Sequence, residues 1–440
     1  MNRRDVLQLL SSAGLATIAP LGSSARAQTA GRRYFVFVNA GGGWDPTSLC
    51  DPKGDAERAD GRGPVNHFFA SDIRRVGQGD IRYAPFPAPE LATSTLRDDN
   101  PISGYDDFFQ AVGPELLIIN GIDTETNNHE TGSRTVWSGS DQQTQPALAA
   151  LIAQAHAPSS PLAFISNGGY DYTDGLIAPT RVSGTGIFRD LSYPNRSNTN
   201  DDADLSNEQS FFLPDAIDAV IADARARRMQ NLIARSALPQ RRAAANALFT
   251  VQGGGGNLNQ LVEYLPSSVS AGLRGQAEIA VAAFQADVAV CANLTSGGFD
   301  THGNHDRDAT YRMAVLIDGV HHLWRSIGDA GLADRTTVLV GSDFGRTPFY
   351  NDGNGKDHWN ATSLMAFGAG VVGGRVVGGT DEHFVEQRID PQSLRPSEGN
   401  DAIRLTFAHV HRAARRLAGI DNDAIARTYP LFAEDLPIFG

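Results

Sequence analysis

The sequence predicts a doubly wound α/β fold, a mostly parallel sheet flanked by helices and interrupted by long insertions. Three observations predict it. Short apolar, β-branched runs recur at 34–38, 115–119, 162–166, 287–291 and 336–340, with a further one near 363–367. They are nearly continuous rather than alternating, as strands buried on both faces are. Helical patterns lie between several of them, and strand-helix-strand alternation favours a parallel sheet. Finally, 51–110 and 170–210 are rich in Asp, Asn, Gly, Ser and Pro and read as long surface insertions, the kind that serve as lids or binding loops.

Taken in order, the chain opens with Asn2-Arg3-Arg4-Asp5-Val6-Leu7, a short apolar stretch from Leu9 to Leu21, and Ala25-Arg26-Ala27. A charged start, an apolar centre and a small-residue cleavage site make residues 1–27 a signal peptide rather than a membrane span. The adjacent arginines resemble a twin-arginine signal, with an ordinary secretory signal as the alternative. Export to the periplasm or the medium is therefore expected. Residues 28–440 are read as one elaborated domain. No later segment reaches the roughly 18 consecutive apolar residues of a membrane helix.

The first predicted strand, 34–38, runs into Gly41-Gly42-Gly43-Trp44-Asp45. Helices are predicted at 144–156 (Ala- and Leu-rich), at 214–249 (Ala/Arg-rich) and at 307–328, where Tyr311, Val315, Ile317, Val320 and Leu323 keep helical spacing. The glycine run 253–256 reads as a helix–helix connection; it lacks the preceding strand and following Lys-Ser or Lys-Thr of a phosphate loop. A net charge of −13 excludes a general nucleic-acid binder. Basic residues are nearly all arginine, with lysine only at Lys53 and Lys356, which reads as genome composition. Two cysteines, Cys50 and Cys291, are too few for a disulfide scaffold. They could pair after export, although a small buried thiol suits Cys291 in its apolar run.

Chemistry gathers at the ends of the predicted strands. Gly297 to His305 includes Asp300, His302 and His305 and follows one apolar run; Ser342-Asp343-Phe344-Gly345-Arg346 follows another; Asp357-His358-Trp359 precedes a third. In open α/β sheets the crevice outside the carboxyl ends of the strands is where ligands bind. Asp and His side chains collected there are the donors that a divalent ion requires. Each has a plain alternative: Asp45 as a helix cap, Asp343 as a partner of Arg346, His358 as a packed surface histidine.

Taken together, Gly42-Gly43-Trp44-Asp45, His129 with Trp137-Ser138-Gly139, Gly298-Phe299-Asp300-Thr301-His302, Ser342 to Pro348 and Asp357-His358 resemble domain-of-unknown-function family 1501. That family is grouped with the alkaline phosphatase and sulfatase superfamily. The resemblance implies an alkaline phosphatase-like fold and a metal crevice. It implies Asp45, Asp300, His302, Asp343 and His358 as metal ligands, with His305 as an alternative to His302. The superfamily commonly has His directly after the acid that Asp343 resembles; this chain has Phe344. His129 stands where superfamily hydrolases place their nucleophile, near the start of a helix. It could act as nucleophile, general base or a further ligand, with Thr131 or Ser133 as substitutes. Arg346 could hold an anionic substrate group or form a structural ion pair.

The expected cofactor is a divalent metal, zinc or manganese first, with calcium or magnesium open. The expected activity is metal-dependent hydrolysis or transfer of phosphate or sulfate esters, with a small-molecule or glycan ester as substrate. The alternative is a non-catalytic envelope protein that keeps the metal and binds a glycan or a protein partner.

Overall fold

The computed structural model describes residues 31–58, 60–85, 104–182, 213–238, 241–242, 245 and 255–440. Residues 1–30 (which include the expected signal peptide), the glycine run up to residue 254 and parts of both insertions (86–103 and 183–212) lie outside the described residues.

An eight-stranded sheet organises the described residues. In chain order its strands are β1 (Tyr34–Gly41), β2 (Leu117–Asp123), β3 (Phe164–Ser166), β4 (Pro179–Arg181), β5 (Cys291–Gly297), β6 (Thr336–Ser342), β7 (Ala361–Gly368) and β8 (Arg375–Gly378). Across the sheet they run β8-β2-β7-β6-β1-β5-β3-β4. Only β7 is antiparallel to its neighbours, so the expected doubly wound, mostly parallel sheet is observed.

The helices are α1 (Tyr105–Val112), α2 (His129–Ser138), α3 (Leu148–His156), α4 (Asp215–Arg235), α5 (Gly255–Tyr264), α6 (Gly272–Gln285), α7 (His305–Asp329), α8 (Phe407–Leu417) and α9 (Ala424–Thr428). Alternation along β1 sorts them onto two faces. Tyr34, Val36, Val38 and Ala40 join one core with α1, α6 and α7, whereas Phe35 and Phe37 join the other with α2, α3 and α8. A strand sandwiched in this way cannot alternate apolar and polar, which is why its sequence is continuously apolar.

One strand lies later than its apolar run. The run 287–291 leads into β5, which is Cys291–Gly297 and carries Asn293, Thr295 and Ser296. Val288, Ala289 and Val290 are fully buried and serve as the approach. The polar residues reflect the local packing: buried Asn293 donates to the Tyr170 carbonyl, and the Thr295 amide donates to Gln276. Cys50 and Cys291 are both free, buried thiols.

No helix among the described residues is long and apolar enough to cross a membrane.

Candidate metal centre

Register brings the strand ends together. Gly41 lies opposite Gly297, and Ala40 opposite Ser342, so β1, β5 and β6 finish side by side. The loops leaving them carry Asp45, then Asp300 to His305, then Asp343 to Arg346. The antiparallel β7 begins at this same edge, with Ala361 opposite Asp123 at the end of β2. His358 therefore reaches the crevice from the start of a strand rather than from its end. A two-residue ribbon holds it there, pairing His358 with Arg346.

Close backbone approach makes room for the site. Gly42 has φ +118°, and a Cβ there would lie 2.7 Å from the Asp300 amide nitrogen. Gly132 on α2 lies against the Asp343 backbone, where a side chain would collide. Helix α2 can thus rest directly on the turn after β6. Asn128 caps it by accepting from the amides of Glu130 and Thr131, which fixes His129 at the first helical position.

Three histidines converge on one carboxylate oxygen, Asp300 Oδ1. His302 Nε2 lies 2.9 Å from it, His358 Nε2 3.0 Å and His129 Nε2 3.6 Å. The Nε2 atoms of His302 and His358 are themselves 3.0 Å apart. Each ring is anchored by its other nitrogen: His302 Nδ1 to Asp357 at 2.7 Å, His358 Nδ1 to the Asn127 carbonyl at 2.7 Å, and His129 Nδ1 to Asp343 at 2.9 Å. A carbonyl or carboxylate oxygen can only accept, so Nδ1 carries the hydrogen in every ring. Three Nε2 atoms, two of them 3.0 Å apart, therefore crowd one carboxylate oxygen. Only protons or a cation among them reconcile that arrangement, and the donor set fits a divalent ion.

Electrostatics agree. Burial works to raise the Asp300 pKa, but hydrogen bonds from Arg346 and His358, with the nearby charges of Arg346 and His302, hold it down at about 2. The Asp357 carboxyl is also lowered, chiefly by its hydrogen bond with His302. Arg346 is fully buried; its donors go to the carbonyls of Gly42, Gly43 and Lys356 and to Asp300 at 2.7 Å. Of its two sequence readings, the structural ion pair is the one this geometry carries.

The expected ligands are distributed unevenly. Asp300, His302 and His358 come together, and His129 joins them at the head of α2. Asp343 meets the group through His129 and accepts from the Gly42 amide at 3.0 Å. Asp45 is engaged elsewhere. It caps the short turn Pro46–Ser48, and its Oδ2 meets His305 Nε2 at 3.0 Å and Lys356 Nζ at 2.8 Å. All three of these side chains are essentially without solvent exposure. Burial opposes the Asp45 charge, but Lys356 and His305 outweigh it and keep the carboxyl well below its usual range.

Sequence reasoning missed Lys356 and the Asn127 carbonyl as parts of this region, and it named Asp357 without its role as partner of His302. Lys356 had a signal: it is one of two lysines in a chain whose other basic residues are arginines. A compact ammonium fits a closed pocket that a forked guanidinium would overfill.

The family described as "Protein of unknown function (DUF1501)" matches residues 272–411. That span runs from α6 into the first half of α8 and includes Asp300, His302, Asp343, Arg346 and His358, but neither Asp45 nor His129. No curated protein sequence matches the chain. Among solved structures, the PsFucS1 sulfatase from Pseudoalteromonas sp. is 8% identical, with 90% of this chain and 70% of that one covered and a TM-score of 0.36. The C-terminal periplasmic domain of EcEptC from Escherichia coli, solved in complex with Zn, is 10% identical, covering 89% and 84%, with a TM-score of 0.33. An alkaline phosphatase from the Antarctic bacterium TAB5 is 9% identical, covering 77% and 92%, with a TM-score of 0.30.

Proposed function

We propose that this protein is an exported, metal-dependent hydrolase or transferase of phosphate or sulfate esters. One observation carries the reading: the Nε2 atoms of anchored histidines converge on Asp300 Oδ1 in a half-exposed crevice. Asp300, His302 and His358 form the tight set and would hold the ion, zinc first and manganese second. Zinc accepts such nitrogen and oxygen donors, and a three-ligand site keeps a position open for chemistry. A bound ion would polarise an ester oxygen and activate the attacking group.

His129 stands slightly apart, and its tautomer suits a reacting role. Asp343 holds Nδ1–H, which leaves the Nε2 lone pair to take a proton or attack. Arg346 is a positioning residue that orients Asp300. For the anionic part of an ester, a cavity of about 610 Å³ opens beside Asp300 and His302, with Arg307 and Arg312 in its wall. Export rests on residues 1–27; lysine at both Arg3 and Arg4 should leave precursor in the cytoplasm if the twin-arginine route is used.

The test is metal analysis of protein purified without chelator, followed by turnover of phosphate and sulfate esters. About one bound ion per chain is expected, abolished in His302→Ala. His129→Ala should lose turnover and keep its metal. A specific contact favours the second reading, a non-catalytic metal-containing binder. The Phe344 ring packs at 4.8 Å from His129 and 4.4 Å from His358, walling one side of the cluster. Loss of metal in His129→Ala, with no ester turned over by wild type, would decide for that closed site.

A further inference from the structure

A second cavity, of about 730 Å³, lies against α2 and is lined from a different set of residues than the histidine cluster. Its wall includes six threonines, among them Thr131 and Thr135 on one face of α2, and the amides of Gln142 and Gln145. Its acids are Glu125, Asp141 and Asp174, and neither lysine nor arginine lines it. The cavity beside Asp300 differs in carrying Arg307 and Arg312, together with Asp300 and Asp308, in its wall. Two independent features mark the second cavity as built for a ligand. Thr135, a lining residue, is only 6% exposed, and its hydroxyl has no hydrogen-bond partner among the described residues. A buried polar group left unpaired is costly unless something else supplies the bond. Phe432, also in the lining, is 92% exposed, an unusual setting for a large aromatic ring.

We propose that this cavity binds an uncharged, hydroxyl-rich ligand one or two sugar rings in size. Aromatic faces cover the apolar face of such a ring, while short hydroxyls and carboxylates accept and donate around its edge. Tyr429 adds a second aromatic surface, and its hydroxyl donates to Asp174 at 2.6 Å, which orients that carboxylate in the wall. Glu125 is paired with Arg404 at 2.6 Å, but Asp141 and Asp174 face the cavity with no lysine or arginine in the lining and repel phosphate or sulfate, so an anionic sugar is rejected here. The site does not depend on the metal reading, because none of His129, Asp300, His302 or His358 lines it.

Saturation-transfer NMR and equilibrium titration on the whole protein test this, with cellobiose, maltose and N,N′-diacetylchitobiose as neutral probes and glucose 6-sulfate as the anionic one. Saturable binding of at least one neutral probe is expected. It should weaken about tenfold in Phe432→Ala or in Thr135→Val, the size of one aromatic contact or one buried hydrogen bond. Phe432 is solvent-exposed and Thr135→Val nearly keeps its shape, so both variants should keep wild-type thermal midpoints. Binding should also survive in His302→Ala, which separates this site from the cluster. The proposal is overturned if no neutral probe binds, if both variants bind as wild type does, or if the sulfated sugar binds equally well.

Discussion

Two clusters of the same residue types sit within a few residues of each other in sequence, and they are set up oppositely. His302 belongs to the open one, where its Nδ1 is held by Asp357 and its Nε2 faces Asp300. His305, three residues on, belongs to the closed one. Its Nε2 donates to Asp45, and its Nδ1 lies 2.7 Å from the Thr301 hydroxyl. The open cluster thus crowds three Nε2 atoms onto one half-exposed carboxylate. The closed cluster spends its Nε2 hydrogen on one, and a lysine ammonium supplies the remaining positive charge. Asp300 is half-exposed, whereas Asp45, His305 and Lys356 see essentially no solvent. Residue type alone therefore does not set what such a cluster can do; the partner of the second ring nitrogen and access to solvent differ between the two.

The largest expected effect tests whether Lys356 is the closed cluster's cation. Lys356→Met leaves Asp45 buried with only His305 to offset its charge, and breaking a buried pair in this way costs about 3–5 kcal/mol. Chemical denaturation of wild type and variant would read it. A loss below about 1 kcal/mol would mean that Asp45 takes up a proton or gains water, and the lysine would lose its role. Asp45→Asn combined with Lys356→Met should recover part of the loss, because the uncompensated charge is gone.

How much of this was legible in sequence follows from the same contrast. Strand-end logic located Asp45, Asp300, His302, Asp343 and His358 on one edge, because apolar runs mark strands and the motifs abut them. The family resemblance, not the residue pattern, set His129 at a helix start, where Asn128 caps α2. Sequence could not tell which nitrogen of a ring is occupied, since the acceptors come from distant loops: Asn127 is 231 positions from His358. Nor could it separate Asp45 from Asp300, since both follow strands and differ only in the cation that reaches them. The β5 register was misjudged for a related reason, as Asn293 and Thr295 are bonded to other buried or half-buried groups and hide the strand in a polar sequence.

A medium-sized effect sharpens the open side. Asp357 holds His302 Nδ1 at 2.7 Å, and Asn351 also donates to it at 3.1 Å. Asp357→Asn keeps the size but removes the charge, and its amide no longer fixes the His302 tautomer. Outer partners of this kind are worth about 10–100-fold in metal affinity. Competition against a chromophoric chelator should show that drop with little change in thermal stability of the metal-free protein. If affinity is unchanged, His302 is not a ligand and the open cluster is only a set of paired charges.

The smallest effect concerns proton uptake by the closed cluster. Burial lowers the His305 pKa, and contact with Asp45 only partly restores it. In the unfolded chain the ring titrates near 6.5. Below that pH the unfolded state takes up the proton first, so acid drains stability, and the contribution is complete only above it. His305→Gln keeps a donor for Asp45 but cannot titrate. At pH 7.5 the variant should be less stable than wild type by about 1 kcal/mol, the worth of one buried hydrogen bond. As the pH falls from 6.5 toward 5 the gap should narrow, by at most about 1.4 kcal/mol per pH unit for one proton. A gap that widens with acid would mean that His305 is protonated in the native state. The closed cluster would then hold two cations around Asp45, and its neutral, solvent-free contrast with the open cluster would be wrong.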